Sequence, residues 1–193
     1  MSYPIQPTKF NEYFFKEEWY EKDFFYSPDG VREFPDHHCK LSFNGSLPFL
    51  KEQKRNAVDL GCRDGEFSRY LQHHFNHVYG FDPRYRKFYP YNVKKEKNTH
   101  FQCKVDDGAL ALDKFNIEDV DYLKIDVDGS SEYVVVQGCL KTIEKYNPVI
   151  NLEVKSTALN RVESGRALDF LLSIGYKVMG TCYRGWDHYL RRD

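Results

Sequence analysis

The sequence predicts an α/β fold: an open, mostly parallel seven-stranded sheet with helices on both faces, preceded by an aromatic-rich N-terminal extension. From residue 56 onward, short β-branched runs alternate with segments of helical periodicity. This alternation is typical of parallel strands joined by right-handed crossovers. The first 54 residues contain only two glycines, many aromatic residues and little strand alternation. We therefore divide the chain into an extension, 1–54, and a sheet domain, 55–193.

Seven segments of the sheet domain are predicted to be strands. Each is a short run rich in apolar or β-branched residues, and most of them end at Gly, Asp, Asn or Pro, which favour turns. In chain order they are 56–60, 77–81, 100–105, 121–127, 149–154, 177–182 and 186–190.

Three helices are predicted between these strands. The first follows a glycine-rich turn, and its apolar side chains recur at i, i+3, i+4, i+7 and i+8, which places them on one helical face. These side chains are Phe67, Tyr70, Leu71, His74 and Phe75. The second helix is predicted over 131–146, before Asn147 and Pro148, and the third over 162–174, before Gly175, a favoured helix stop.

Composition limits the classes of function. Lys and Arg number 28 against 29 Asp and Glu, a formal net charge of −1, whereas nucleic-acid and membrane-surface binding need surplus positive charge. No apolar run approaches the roughly 18 residues of a membrane span, and the first residues lack the apolar centre of a secretory signal. Five cysteines without a CxxC pair predict neither a disulfide framework nor a zinc ribbon. We expect a cytoplasmic protein that binds neither nucleic acid nor membrane.

Acidic residues follow several of the predicted strands. Ligands of such sheets bind outside the carboxyl ends of the strands, where the strand order reverses, so these carboxylates are the candidate functional residues. Asp59 precedes the turn Gly61–Gly65, in which the glycines let the backbone bend tightly and approach a ligand. Asp82 ends the next strand and is placed to accept two hydrogen bonds from ribose hydroxyls. It could instead form the turn before Pro83.

Two parts of the sequence resemble known methyltransferases. The stretch Val58–Gly65, followed by Gly80–Pro83, is similar to the S-adenosylmethionine site of class I methyltransferases, which have a Rossmann-like fold. Lys124–Gly129 with Glu132, followed by Pro148–Glu153, resembles the FkbM branch, whose typical signature is KIDVEGxE, a helix, and a PVI strand ending in Glu. The resemblance runs through most of the sheet domain and implies S-adenosylmethionine as the cofactor.

The resemblance also implies a role for each residue of the cofactor site. Asp82 would bind the ribose hydroxyls. Asp106 or Asp107 would face the adenine amino group, and Asp126 would lie beside the sulfonium methyl and the acceptor. Asp59, Gly61 and Gly65 would surround the methionine part of the cofactor, and Cys62 and Arg63 of the same turn are also assigned to the cofactor site.

The candidate catalytic residues are Asp126, Asp128 and Glu153. Methyl transfer from a sulfonium is an in-line displacement in which alignment supplies most of the catalysis, but a sugar hydroxyl also needs a general base or a metal. Asp126 is by position the best candidate for the base, although a carboxylate there could equally cap the next helix. The three carboxylates could also bind a divalent cation, which we expect less because carboxylates around a cationic cofactor need no metal. Asp128 stands where the family usually has Glu, which shortens its reach.

We therefore expect an S-adenosylmethionine-dependent O-methyltransferase that acts on a sugar hydroxyl of a glycan or glycoconjugate. The acceptor class comes from the resemblance alone, because a fold does not fix a function. Two alternatives stay open: a methyltransferase of RNA or of a small metabolite, and a glycan-binding protein that keeps the fold without turnover.

The N-terminal extension is rich in aromatic residues, with nine among the seventeen residues of Phe10–Tyr26. Packing on the flank of the sheet is the default expectation for such residues. They could instead line a cleft for the sugar, or form a contact between two copies of the chain, since exposed aromatic residues mark interfaces.

Overall fold

The structure, a computed structural model, describes ten parts of the chain. They are residues 25–26, 32–33, 42–62, 65–82, 98–101, 112, 117–127, 132–154, 161–182 and 186–193. Apart from Phe25 and Tyr26, the aromatic segment Phe10–Tyr26 lies outside them, so the expectations for that segment stay predictions.

Nine strands are found in the described residues. They are β1 (Phe25–Tyr26), β2 (Arg32–Glu33), β3 (Asn56–Leu60), β4 (His77–Phe81), β5 (Asn98–Phe101), β6 (Val120–Ile125), β7 (Val149–Glu153), β8 (Lys177–Cys182) and β9 (Asp187–Arg191). The same residues contain the helices α1 (Glu66–Leu71), α2 (Glu132–Gly138), α3 (Leu140–Tyr146) and α4 (Arg161–Ser173), and a 3-10 turn at Leu47–Phe49. None of the helices in these parts of the chain has both the length and the apolar character needed to cross a bilayer.

Strands β3 to β9 form one sheet in the order β5-β4-β3-β6-β7-β9-β8, and β1 and β2 form a separate antiparallel pair. The first five strands of that order are parallel, and β9 runs antiparallel to both β7 and β8. The predicted α/β fold with a mostly parallel sheet is therefore confirmed. The strand order reverses at β3, so the carboxyl ends of β3, β4 and β6 are where this topology places a ligand.

Alternating side chains give the sheet two different faces. One face is an apolar core in which residues of β3, β6 and β7 pack against α2, α3 and α4. The other face is covered by α1 and by residues 42–50, and Phe43, Phe67, Leu71 and Phe75 form its apolar part. On this second face the residues near the carboxyl ends of the strands are polar, and that end carries the candidate site.

Residues 42–50 belong to the predicted extension but pack as part of this covering layer. Phe43 is fully buried, and its ring meets those of Phe75 and Tyr122 edge to face, with centroids 5.9 and 5.3 Å apart. Asn151 of β7 donates to the Ser42 hydroxyl at 3.1 Å. A Cβ at Gly45 would lie 2.2 Å from a carbon of the Tyr189 ring, so this segment lies directly on the sheet.

The predicted helix over 131–146 is wrong in one respect, because two helices stand in its place. Cys139, between α2 and α3, has φ −90° and ψ 1°. Its amide is shared between the carbonyls of Val135 (3.0 Å) and Val136 (3.2 Å), the three-centre pattern common at helix ends. Gly138, a poor helix former, ends α2 at this point.

Two strand ends differ from the prediction by two residues, and the other differences among the described strand ends are of one residue. Strand β5 begins two residues earlier than expected, and residues 102–105 lie outside the described residues. Strand β6 ends at Ile125 rather than at Val127. The Asp126 amide still donates to the Leu60 carbonyl at 3.0 Å, so Asp126 leaves the sheet directly beside the end of β3.

An ion-pair network closes the amino end of the sheet, opposite the candidate site. Arg55 donates to both oxygens of buried Asp121, from its backbone amide at 2.8 Å and from its guanidinium at 3.0 and 3.2 Å. Lys51 lies 3.5 Å from the same carboxylate, and Asp119 also contacts Arg55. Charge-assisted hydrogen bonds of this kind contribute more to stability than neutral ones.

We expect Asp121→Ala to lower the free energy of unfolding by about 2–3 kcal/mol, because it removes several hydrogen bonds to a buried charged group. Urea unfolding followed by circular dichroism measures this loss. Cofactor affinity in the native variant should stay at the wild-type value, since the network lies at the other end of the strands. Unchanged stability, or a native variant with weakened cofactor binding, would contradict this expectation.

Candidate active site

The glycine turn after β3 lies between the ends of β4 and β6. The amides of Gly61 and Cys62 both donate to the Phe81 carbonyl, at 2.9 and 3.2 Å. Gly61 has φ +85°, and a Cβ at this position would lie 1.8 Å from the Asp126 carbonyl oxygen. Because real Cβ atoms do not approach backbone this closely, the contact between the two strand ends requires glycine here.

The turn ends at Gly65, which also has a left-handed backbone. Its φ is +80°, and its amide donates to the Cys62 carbonyl at 2.7 Å. Helix α1 begins with the next residue, and Cys62, within the turn, is buried. The positions predicted from sequence to need glycine therefore have the backbone that favours it.

Asp59 and Asp82 lie at neighbouring strand ends. Asp59 is paired with Gly80 in the register of β3 and β4, and Asp82 directly follows the last residue of β4. Each is only 1% exposed. Ser68 of α1 donates a hydrogen bond to the Asp59 carboxylate at 2.6 Å. The structure thus brings together the two carboxylates expected to flank the cofactor.

Burial raises the pKa of Asp59 to about 6. The positive charge of Lys124 and the Ser68 hydrogen bond oppose the shift, and the negative charges of Asp126 and Asp82 add to it. Asp59 therefore interacts electrostatically with Asp82 at the end of β4 and with Lys124 and Asp126 at the end of β6, as expected of charged groups that share one edge of the sheet.

A buried lysine lies at the centre of this edge. Lys124 of β6 is 4% exposed, is paired in register with Asp59 on one side and Asn151 on the other, and donates to Asp126 Oδ2 at 2.9 Å. Its ammonium also lies 4.8 Å from the centroid of the Phe67 ring, a cation–π distance.

Carboxylates surround Lys124 from four elements of the structure. Burial opposes its charge, but the negative charges of Asp126, Asp187, Asp59 and Glu153 outweigh burial and raise the pKa of the lysine. Glu153 ends β7 and pairs in register with Asp187 of β9, and both are buried. By contrast, the side chain of Asp126 is 30% exposed, which makes it the member of this group that an acceptor can reach.

Among the described site carboxyls, Glu153 has the most strongly raised pKa. Burial, together with the negative charge of Asp126 and a hydrogen bond with it, raises the pKa of Glu153 to about 9. Lys124 opposes this shift and Asp187 adds to it. At neutral pH, Glu153 is therefore protonated and can donate a hydrogen bond to Asp126.

The raised pKa of Glu153 makes the stability of the protein depend on pH. Above the unfolded pKa of about 4.3, the folded protein keeps a proton on Glu153 that the unfolded chain releases, so the free energy of unfolding falls as the pH rises from about 5 to 9. We expect Glu153→Gln, which cannot ionise, to flatten this dependence in urea unfolding at pH 5, 7 and 9. Glu118→Gln, at an exposed glutamate, is the control. Parallel slopes for Glu153→Gln and wild type would contradict the assignment.

Four of the sequence-predicted site residues lie outside the described residues: Arg63, Asp106, Asp107 and Asp128. Their roles stay predictions. Of the three candidate metal ligands, Asp126 and Glu153 are hydrogen-bonded to each other. Within the described parts of the chain, no group of three or more His, Cys, Asp or Glu side chains is arranged to hold a metal ion.

Three residues of the site were not predicted from sequence: Lys124, Asp187 and Ser68. Lys124 belongs to the Lys124–Gly129 motif, so the motif was a signal for it. Ser68 lies in the first helix after the glycine turn, on the side that faces β3. No signal identified Asp187, because its place beside Glu153 depends on the antiparallel direction of β9.

Solved structures of several proteins share this fold. A ribosomal RNA methylase from Streptococcus thermophilus superposes with a TM-score of 0.55 at 11% identity, covering 83% of this chain and 98% of its own. A precorrin 8w decarboxylase from Methanobacterium thermoautotrophicum superposes with a TM-score of 0.57 at 16% identity, covering 88% of this chain and 92% of its own. A Streptococcus mutans protein assigned to the methyltransferases and solved with SAH superposes with a TM-score of 0.56 at 15% identity, covering 78% of this chain and 94% of its own. At these identities the likeness shows the fold. No curated protein matches the chain in sequence.

The strand order and the match of a methyltransferase family over most of the chain together place the protein among the class I methyltransferases. The sequence profile described as "Methyltransferase FkbM domain" matches residues 30–178, most of the chain. The chain belongs to the FkbM methyltransferase family, and this membership implies S-adenosylmethionine as the cofactor. The residues present fit this group, because buried carboxylates at two adjacent strand ends suit the ribose hydroxyls and the cationic centres of the cofactor.

Proposed function

We propose that this protein is an O-methyltransferase that transfers the methyl group of S-adenosylmethionine to a sugar hydroxyl of a glycan or glycoconjugate. The observation that carries the proposal is the position of Asp126. Its backbone contacts the glycine turn on the cofactor side, and its carboxylate is the partly exposed member of a buried charged group. A hydroxyl acceptor needs such a carboxylate within reach of both itself and the transferred methyl group.

In this proposal the cofactor side is formed by residues of β3, β4 and the turn. Asp82 binds the ribose hydroxyls, and Asp59 with Gly61, Cys62 and Gly65 surrounds the methionine part. The buried position of both carboxylates supports these roles, since charge-assisted hydrogen bonds are strongest away from water.

When bound, S-adenosylmethionine supplies an electrophilic methyl group on a sulfonium. Asp126 would accept the proton of the acceptor hydroxyl when that oxygen takes up the methyl group. Glu153, protonated at neutral pH, holds the Asp126 carboxylate through a hydrogen bond. The products are the methyl ether, S-adenosylhomocysteine and the proton on Asp126.

The experiment is a methyl-transfer screen with radiolabelled S-adenosylmethionine. The acceptor arms are oligosaccharides and glycolipid headgroups, bulk RNA, and a set of small metabolites, each with and without a chelator. We expect label in the oligosaccharide or glycolipid arm, with release of S-adenosylhomocysteine. Label in the RNA or metabolite arm alone would overturn the acceptor class. Binding of sugars without any turnover would support the non-catalytic alternative.

Cofactor binding has its own test by isothermal titration with S-adenosylmethionine. We expect Asp82→Ala to weaken binding by about 10- to 100-fold, the loss of hydrogen bonds to a charged acceptor. Asp169→Ala, at an exposed aspartate of α4, should bind as wild type. Equal affinities for Asp82→Ala and wild type would remove Asp82 from the proposed cofactor site.

A further inference from the structure

We infer that Lys124 is a positioning residue of the methyl-transfer site, which fixes the Asp126 carboxylate in an ionised state and in one orientation toward the acceptor. This inference rests on the proposed function, because it takes Asp126 as the base. Lys124 itself does not touch the reacting atoms and acts through Asp126.

The placement of Lys124 supports this role. It is fixed in the middle of the sheet by the register with Asp59 and Asn151, and its ammonium contacts both the Phe67 ring and Asp126 Oδ2. Asp126 lies beyond the last residue of β6, where the ladder no longer restrains its side chain. The 2.9 Å contact with a rigidly held lysine therefore restrains this carboxylate from one side, in addition to its hydrogen bond with Glu153.

The surrounding charges explain why a cation is needed at this position. Among the described residues, the charged and titratable groups around Lys124 include Asp59 of β3, Asp126 after β6, Glu153 of β7, Asp187 of β9 and the hydroxyl of Tyr122 on β6 itself. Without Lys124, Asp126 would lose the cation that offsets the described acidic groups of this cluster, and like charges at close range favour the protonated form of a carboxylate. A protonated Asp126 cannot accept the proton of an acceptor hydroxyl.

A purely structural pairing would look different. Arg55 and Asp121 at the amino end illustrate it: there the carboxylate is fully buried and is bound by three donors of one residue. At the carboxyl end the lysine is buried and the carboxylate is partly exposed. Burying a lysine is costly unless its charge is paired, and an apolar side chain would fill the same space. The pair therefore indicates that the partly exposed carboxylate of Asp126 requires a cation beside it.

The test is a double-mutant cycle of Lys124→Met, Asp126→Asn and the double variant. For methyl transfer to the sugar labelled in the screen, we expect Lys124→Met to lower kcat at least 10-fold with little change in the acceptor KM, and to move the acid limb of the pH profile to higher pH. In the Asp126→Asn background, Lys124→Met should cause no further loss. Lys177→Met, at an exposed lysine paired with Asp193, should retain wild-type kinetics.

A second readout does not need an acceptor. The urea midpoints of the same four proteins should be non-additive, and more so than those of the corresponding Lys177 and Asp193 cycle, because only the first pair is buried. Additive midpoints, or kcat losses that multiply in the double variant, would overturn the positioning role whichever acceptor is methylated. Non-additive midpoints without any methylated sugar would retain the Lys124–Asp126 coupling and overturn the proposed acceptor.

Discussion

Gly61→Ala is expected to abolish measurable cofactor binding and to lower the free energy of unfolding by about 2–4 kcal/mol. The new Cβ would lie 1.8 Å from the Asp126 carbonyl oxygen and 2.7 Å from its carbonyl carbon, so the ends of β3 and β6 would have to separate. Overpacking of this kind costs about 1–3 kcal/mol, and the left-handed backbone at φ +85° adds about 1 kcal/mol for a non-glycine residue.

Isothermal titration with S-adenosylmethionine and urea unfolding measure the two effects. Gly165→Ala is a matched control, because no described atom outside the backbone of its own helix lies within 4 Å of the Cβ it would introduce and the residue lies within α4. There alanine should leave binding unchanged and raise stability by up to about 1 kcal/mol. Wild-type affinity in Gly61→Ala would show that the contact between the glycine turn and β6 does not form the cofactor site.

Asp126→Asn is expected to lower kcat for methyl transfer by about 10²- to 10⁴-fold, the usual contribution of a general base. Asparagine has almost the same shape but cannot accept the hydroxyl proton. Affinity for S-adenosylhomocysteine should change only a few-fold, because the backbone contact of residue 126 with Gly61 is retained.

Steady-state kinetics with the labelled sugar, together with titration of S-adenosylhomocysteine, separate these effects. Asp169→Asn, at an exposed aspartate, controls for the loss of one negative charge. If Asp126→Asn keeps wild-type turnover, the base lies elsewhere, and Asp128 is the next candidate because Glu153 is protonated at neutral pH.

The sequence was sufficient to predict the residues whose roles depend on the local backbone conformation. Gly61 and Gly65 were predicted from the glycine turn alone, because a left-handed backbone is a local property of the chain. The alternation of apolar runs predicted the strands that carry Asp59, Asp82 and Asp126, and the parallel pairing placed their ends at one edge. The broken helix at Cys139 was missed because a single glycine within a helical pattern does not predict where the backbone turns.

The charges and contacts of the site depended on tertiary structure. The burial of Lys124 could not be predicted from the sequence, because it follows from the register that places this lysine between β3 and β7. Asp187 joins the group only because β9 runs antiparallel to β7, a direction that no local pattern sets.

By itself, the sequence of this protein determined the α/β class, the glycine turn and the strand ends that carry acidic residues, since these follow from hydrophobic period and backbone preference. Only the tertiary structure decided which carboxylates are buried, that Lys124 is held among them, and that Asp126 is the one left partly exposed. Protonation and exposure depend on the distances between residues far apart in the chain, and those distances are set by strand order and register.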